Sequence, residues 1–162
     1  MRVIISAGGT GGHIYPALSI INKIKQRDKN AEILDVGTTN RMEKDIIPKY
    51  NIPYYAIKVT GLERKLSINN LKTLKNFIFA VIKMKKKIKE FKPDIVIGVG
   101  GYVTAPVIYA AKICKVKTII HEQNSVLGVT NRFLSKYVDA VLVSFPDTVV
   151  KAKRVVYTGN PS

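Results

Sequence analysis

Acidic residues are scarce in this sequence. Eleven Asp and Glu stand against 27 Lys and Arg, which gives a formal net charge of +16 at pH 7. An excess of this size predicts a polyanionic partner: a nucleic acid, an anionic membrane or a phosphorylated substrate. Only charge favours a nucleic acid, because no basic–aromatic RNA motif and no helix-turn-helix pattern accompanies it. We therefore predict that the protein binds no nucleic acid.

Cysteine and histidine are nearly absent as well. The single cysteine, Cys114, excludes an intramolecular disulfide and any cysteine-based metal cluster. With only two histidines, a zinc site is not expected either. Cys114 follows an apolar run, so we interpret it as a small buried hydrophobe in a reducing compartment.

Long apolar runs are also missing. No uncharged stretch is long enough to span a bilayer, and a glycine turn interrupts the first apolar segment too early for a signal peptide. With 162 residues, the chain suits one domain with a real core. We expect a cytosolic protein that can touch a membrane surface.

Glycine, in contrast, is concentrated near the start, in Ser6-Ala7-Gly8-Gly9-Thr10-Gly11-Gly12-His13. The segment follows the apolar run Val3-Ile4-Ile5 and precedes a helical pattern in which Pro16 is expected in the first turn. Strand, glycine turn and helix N-terminus together present unpaired amides and a positive dipole end, which favour an anion. His13 is expected at the mouth of this site.

Strand and helix patterns alternate along the chain. Short β-branched runs predict strands at 1–5, 31–36, 53–59, 94–98, 117–121, 140–143 and 154–157. Helical spacing predicts helices at 14–25, 42–50, 68–91, 105–114 and 128–137. This order predicts an α/β fold, a Rossmann-like doubly wound parallel sheet with ligands beyond the carboxyl ends of its strands.

Two more polar segments follow predicted strands. Gly98-Val99-Gly100-Gly101-Tyr102 repeats the arrangement of the first turn, and His121-Glu122-Gln123-Asn124 ends another apolar strand. We expect both loops to face one crevice with the first turn. Taken alone, His121 fits a buried histidine with satisfied hydrogen bonds better than a ligand.

A dinucleotide-binding domain of an oxidoreductase is the alternative. The fingerprint Gly-x-Gly-x-x-Gly is not met, because Ile14 occupies its last position, and no Gly-Lys-Ser/Thr follows for a triphosphate loop. Asp35 lies roughly where a ribose-binding acid is expected, about 20 residues on. Since it falls inside the second predicted strand, a structural role is at least as well supported.

Four motifs, in order and spacing, resemble the MurG family, the bacterial N-acetylglucosaminyltransferases that complete lipid II in peptidoglycan synthesis. They are Gly8-Gly9-Thr10-Gly11-Gly12-His13, Gly98-Val99-Gly100-Gly101-Tyr102-Val103, His121-Glu122-Gln123-Asn124 with Thr130-Asn131, and Thr158-Gly159-Asn160-Pro161. The resemblance covers the whole chain and implies the N-terminal half of a GT-B glycosyltransferase. The donor-binding C-terminal domain and an arginine of the family lie past Ser162, so we interpret the chain as truncated, with a naturally split enzyme as the alternative.

The resemblance implies a reaction and a set of site residues. GlcNAc moves from UDP-GlcNAc to the C4 hydroxyl of MurNAc in lipid I, with inversion and with neither metal nor cofactor. His13 matches the proposed base, and Glu122 is the second candidate or the group that orients the acceptor. The implied substrate-binding positions are Thr10, Gly11 and Gly12 at diphosphate oxygens, Asn124 at the donor sugar, and Gly101, Tyr102 and Asn131 toward the acceptor.

The segment 62–92 combines lysines with apolar residues. Leu71, Leu74, Ile78, Val81, Ile82 and Ile88 recur at helical spacing and are expected to pack on the sheet. A solvated lysine face is one interpretation. The other, which a lipid-linked acceptor favours, is docking on the anionic cytoplasmic face of the bacterial membrane. The predicted membrane contacts are Leu66, Phe77, Phe79, Lys72 and Lys75.

Overall fold

Seven strands form one parallel sheet in the computed structural model, which describes residues 1–61 and 68–161. The strands are β1 (Arg2–Ala7), β2 (Glu32–Thr38), β3 (Tyr54–Ile57), β4 (Ile95–Gly100), β5 (Lys117–Glu122), β6 (Ala140–Val143) and β7 (Val155–Tyr157). The helices are α1 (Gly11–Arg27), α2 (Glu43–Ile46), α3 (Ile68–Phe91), α4 (Thr104–Ile113) and α5 (Val129–Leu134), with a 3₁₀ turn at Ile47–Tyr50.

The strand order is β3-β2-β1-β4-β5-β6-β7. The chain winds outward from β1 in one direction and from β4 in the other, so the switch point lies between these two strands. The predicted α/β class with a Rossmann-like doubly wound sheet is confirmed. A crevice is expected where the loops after β1 and β4 diverge.

The core has one apolar cluster on each face of the sheet. Val3 and Ile5 of β1 face α1, while Ile4 between them joins the cluster under α3 and α4. This alternation follows from the two-residue period of a strand. Both faces are covered, which explains why the strands read as continuous apolar runs rather than alternating ones.

Helix α1 begins three residues earlier than predicted. The Thr10 carbonyl accepts the amides of His13 and Ile14, so Gly11, Gly12 and His13 are already its first turn. The expectation that Pro16 lies in the first turn is therefore wrong, because Pro16 is the sixth residue of the helix. A proline there supplies no amide to the carbonyl four residues back.

Helix α3 has the predicted bounds, but only part of the apolar face predicted to pack on the sheet is buried. Two of the six residues predicted to pack on the sheet, Val81 and Ile88, are buried, together with Ala80 and Met84. The other four are exposed: Leu71, Leu74, Ile78 and Ile82. The helix carries two apolar stripes, and helical spacing alone does not tell which one meets the sheet. Of the described helices, none has the length and hydropathy needed to cross a bilayer.

The predicted membrane contacts divide between the two faces of α3. Phe77 is half-buried and packs against the core, with its ring 5.9 Å from that of Tyr109, so its assignment to a membrane-facing surface is wrong. Phe79, Lys72 and Lys75 are exposed. Leu66 lies outside the described residues.

Asp35 is a fully buried acid among the apolar residues of β2. Its side chain is fully buried, and neither carboxyl oxygen has a hydrogen-bond partner among the described residues. Burial, followed by the negative charge of Glu43, raises the pKa of Asp35 well above its usual value. Burial therefore favours the neutral carboxyl, and the side chain is not exposed to a ligand such as a ribose.

We expect Asp35→Asn to raise the free energy of unfolding at pH 7 by about 1 kcal/mol or more. Because the pKa of Asp35 is higher in the folded chain, its contribution to folding stability is fully present below the unfolded-state pKa of 3.8. That contribution is lost as the pH rises. The difference in free energy of unfolding between Asp35→Asn and the wild type, measured by urea denaturation, should therefore grow from pH 4 to pH 7. Asp147→Asn, at an exposed position, is the matched control. If the free energy of unfolding depends on pH in the same way in both variants, the raised pKa of Asp35 is contradicted.

Candidate functional site

A cleft of about 570 Å³ opens at the carboxyl ends of β1, β2, β4 and β5. Seven of the predicted site residues line it, although they come from three distant parts of the chain: Thr10, His13, Gly101, Tyr102, Glu122, Asn124 and Asn131. Gly11 and Gly12 are not in its wall and lie beside it in the first turn of α1. The structure therefore brings the predicted loops together at one edge of the sheet.

The two glycine turns meet backbone to backbone. The Gly8 amide donates to the Gly100 carbonyl at 3.1 Å. Gly101 has a φ of 93°, and a Cβ there would collide with the backbone of Gly8. Only glycine permits both the positive φ and this close approach.

His13 lies above this contact and is half-buried in the cleft wall. Its Nδ1 lies 3.0 Å from the carbonyl oxygen of Gly8 and 3.4 Å from Oγ1 of Thr10. A carbonyl only accepts, so Nδ1 must carry the proton and donate it to Gly8. The lone pair of the neutral ring then lies on Nε2, for which the described residues provide no hydrogen-bond donor.

Glu122 holds the loop after β5. Its Oε1 accepts the backbone amide and the side-chain amide of Asn124, both at 3.1 Å. Its Oε2 accepts the Gly128 amide at 2.9 Å and Nδ2 of Asn131 at 3.0 Å. With four donors on a side chain that is 2% exposed, both oxygens are already occupied. This geometry suits a group that orients its neighbours better than a base.

Asn131 presents an unused acceptor in the same wall. Its Nδ2 donates to Glu122 and to the His121 carbonyl, while its Oδ1 is buried with no partner in the described part of the chain. A buried orphan acceptor is costly unless something satisfies it. Asn131 therefore keeps one hydrogen-bond acceptor, Oδ1, that no donor among the described residues satisfies.

His121 has a structural environment, as expected. Gln123 donates to its Nδ1 at 2.9 Å, and its Nε2 donates to the Gly159 carbonyl at 3.2 Å. Burial lowers the pKa of His121, so the neutral ring is favoured. This ring ties the end of β5 to the last described segment.

Two residues that sequence reasoning missed follow β2, namely Arg41 and Glu43. Arg41 is the one Lys or Arg in the described cleft wall, and its guanidinium donates to the Gly9 carbonyl at 3.3 Å. Glu43 is fully buried beside the first glycine turn. A signal was present in the sequence, because the polar residues Thr39, Asn40 and Arg41 follow β2 directly, as the other site loops follow their strands.

Metal-binding and dinucleotide-binding residues can be assessed from the same geometry. No group of three or more His, Cys, Asp or Glu side chains is placed to hold a metal ion within residues 1–61 and 68–161. Asp35, the candidate ribose-binding acid, is fully buried inside β2 and is not in the cleft wall. The ribose-binding role is therefore wrong for Asp35.

Comparison with protein families matches residues 3–143 to the glycosyltransferase family 28 N-terminal domain. The chain belongs to this family. Two curated relatives are named UDP-N-acetylglucosamine--N-acetylmuramyl-(pentapeptide) pyrophosphoryl-undecaprenol N-acetylglucosamine transferase. The one from Bacillus subtilis is 52% identical and the one from Halalkalibacterium halodurans 49%, each over 99% of this chain. This chain spans 45% of the length of each of these two relatives.

Solved structures agree with the family 28 assignment. MurG from Acinetobacter baumannii superposes with a TM-score of 0.82 at 33% identity, over 97% of this chain and 45% of that one. The predicted resemblance to the MurG family is thus confirmed. UDP-GlcNAc 2-epimerase from Neisseria meningitidis, bound to UDP-GlcNAc, has a TM-score of 0.66 at 15% identity, over 99% of this chain and 47% of that one. At that identity the likeness shows the fold alone.

We expect Glu122→Gln to lower the free energy of unfolding by about 2–4 kcal/mol, because the new amide nitrogen would face donors in place of accepting them. Urea denaturation of this chain measures the loss. Glu90→Gln removes an exposed carboxylate and should change stability by no more than about 0.5 kcal/mol. A Glu122→Gln variant as stable as the control would show that the four hydrogen bonds do not hold the loop.

Proposed function

We propose that this chain is the acceptor- and membrane-binding domain of an inverting N-acetylglucosaminyltransferase. The complete enzyme would move GlcNAc from UDP-GlcNAc to the C4 hydroxyl of MurNAc in lipid I, making lipid II, with neither metal nor cofactor. A second, donor-binding domain would supply most contacts to UDP. The observation that carries the proposal is the convergence of His13, both glycine turns and the Glu122 loop on one cleft in a family 28 domain.

His13 is the base in this proposal. An inverting displacement requires that the acceptor hydroxyl lose its proton as its oxygen attacks the anomeric carbon and UDP leaves from the opposite side. Nε2 of His13 has the free lone pair for that proton, while Nδ1 stays bonded to Gly8. Glu122 would orient Asn124 and Asn131 around the substrates rather than take the proton.

The first turn of α1 would receive diphosphate oxygens of the donor or the acceptor. The amides of Thr10, Gly11 and Gly12 precede the first helical hydrogen bond and lie at the positive end of the helix dipole. Arg41 adds a fixed positive charge beside them. Tyr102 is exposed in the cleft wall with its ring beside Gly61, and Gly101 and Asn131 would complete the acceptor side.

His13→Ala should lower the rate of GlcNAc transfer by about 10²–10⁴-fold in the complete two-domain enzyme, the usual contribution of a general base. The assay follows GlcNAc incorporation into a lipid I analogue. Tyr15→Ala, an exposed substitution in the first turns of the same helix, is the matched control and should retain the rate. An unchanged rate for His13→Ala would remove this residue from the mechanism.

We further propose that the exposed stripe of α3 docks on the anionic cytoplasmic leaflet, which would place the enzyme at the membrane as a peripheral protein. The apolar members are Leu71, Leu74, Ile78, Phe79 and Ile82. Lys72 and Lys75 are exposed on the same helix, and Nζ of Lys75 lies 5.7 Å from the ring centre of Phe79. Apolar surface bordered by lysine is typical of a helix that lies in a lipid interface.

Vesicles rich in anionic lipid should retain this chain at low salt and release it at high salt, since each basic residue near the surface contributes about 1 kcal/mol. Phe79→Ser should weaken retention about five- to tenfold through the loss of buried apolar area. Tyr50→Ser removes a similarly exposed aromatic ring from the turn after α2 and should have no effect. No retention at low salt, or equal losses in both variants, would contradict docking through α3.

A further inference from the structure

The peptide group between Gly8 and Gly9 is bonded at both ends. On one side the amide of Gly9 donates to Oε2 of Glu43 at 3.1 Å. On the other side the carbonyl of Gly8 accepts Nδ1–H of His13 at 3.0 Å. One peptide plane therefore connects a carboxylate to the imidazole. The φ of Gly9, 91°, is a left-handed value that glycine accommodates readily.

Glu43 is held firmly in this position. Its Oε1 accepts the amide of Thr38 at 2.9 Å and the hydroxyl of Thr38 at 2.7 Å. All three of its partners are donors, which is what an ionised carboxylate requires. The space around it depends on glycines, since a Cβ at Gly8 would lie 2.6 Å from Oε1 and one at Gly37 would lie 2.6 Å from Cγ.

We propose that Glu43 is a positioning residue for His13 and acts through the Gly8–Gly9 peptide. A negative charge at the amide end of a peptide increases the negative charge on its carbonyl oxygen, because hydrogen bonds in a chain polarise one another. The Gly8 carbonyl then holds the Nδ1 proton of His13 more strongly. The result is one fixed tautomer, with the lone pair on Nε2.

This arrangement is analogous to a serine-protease triad, in which a carboxylate accepts a hydrogen bond from Nδ1–H and so holds the tautomer and orientation of the imidazole directly. Here a peptide group stands between the two side chains. Its importance for catalysis rests on the proposed function, because only then does the Nε2 lone pair take a proton. The hydrogen-bond relay itself can be tested on this chain without any substrate.

The test uses the imidazole nitrogens, which report where each ring carries its proton. Long-range ¹⁵N–¹H NMR correlation spectra of the neutral rings distinguish the two tautomers. The chain has only two histidines, and the structure assigns them opposite tautomers. We expect His13 to carry its proton on Nδ1, while His121, which accepts from Gln123 at Nδ1, carries it on Nε2 and serves as the internal reference.

Glu43→Gln should lower the ratio of the Nδ1–H to the Nε2–H form of His13 about tenfold, which corresponds to about 1.4 kcal/mol. Thr38→Val is the matched control. It removes the hydroxyl bond to Glu43 but leaves the Gly9 contact in place, so the tautomer of His13 should not change. A merely structural role for Glu43 would give both variants the same His13 spectrum.

The proposal is overturned if wild-type His13 carries its proton on Nε2, or if the ratio is unchanged in a Glu43→Gln variant whose His121 signals are native. Should that variant not fold, Glu43→Met takes its place, because it keeps a side chain of similar length and removes the charge, and an unchanged ratio there has the same meaning. These outcomes are independent of the transfer assay. A tautomer shift together with a fully active His13→Ala enzyme would refute the proposed base and leave the relay standing.

Discussion

The backbone contact between the two glycine turns is the constraint on which the cleft depends. Strands β1 and β4 are neighbours at the switch point of the sheet, so the segments that leave them run toward opposite faces. The hydrogen bond from Gly8 to Gly100 draws these segments together before they separate. His13 packs on Gly100, where a Cβ would collide with its ring, so the same contact determines where the imidazole lies.

Two buried carboxylates hold the loops on either side of this contact. Glu43 accepts hydrogen bonds from β2 and the first glycine turn, and Glu122 accepts them from the segment after β5. A buried charge is tolerated only when hydrogen bonds replace its water, and each acid has three or four of them. Loops that would otherwise be free to move are therefore held by short polar networks, which favours a preorganised site.

Much of the fold could be predicted from the sequence because the signals are local. Apolar runs of strand length, helical spacing and glycine turns specify the alternation of elements, and alternation of this kind forms a parallel sheet. The bounds of α3 and β6 were predicted to the residue. The motifs after β1, β4 and β5 predicted most of the cleft wall for the same reason, since carboxyl ends of parallel strands share one edge.

The errors arose where two local patterns were equivalent or where a partner was distant in sequence. Helix α3 has two apolar stripes, and only its packing on α4 and the sheet shows that Met84 is inside and Ile78 outside. Glu43 is an ordinary acid in a charged segment, 34 positions from the Gly9 amide that it accepts.

The sequence alone thus determined the α/β class, the order of elements, the family and the chemical character of the loops, because these depend on neighbouring residues. The tertiary structure decided which face of each helix is buried and which acids hold the site. Those depend on which parts of the chain meet when the sheet is assembled.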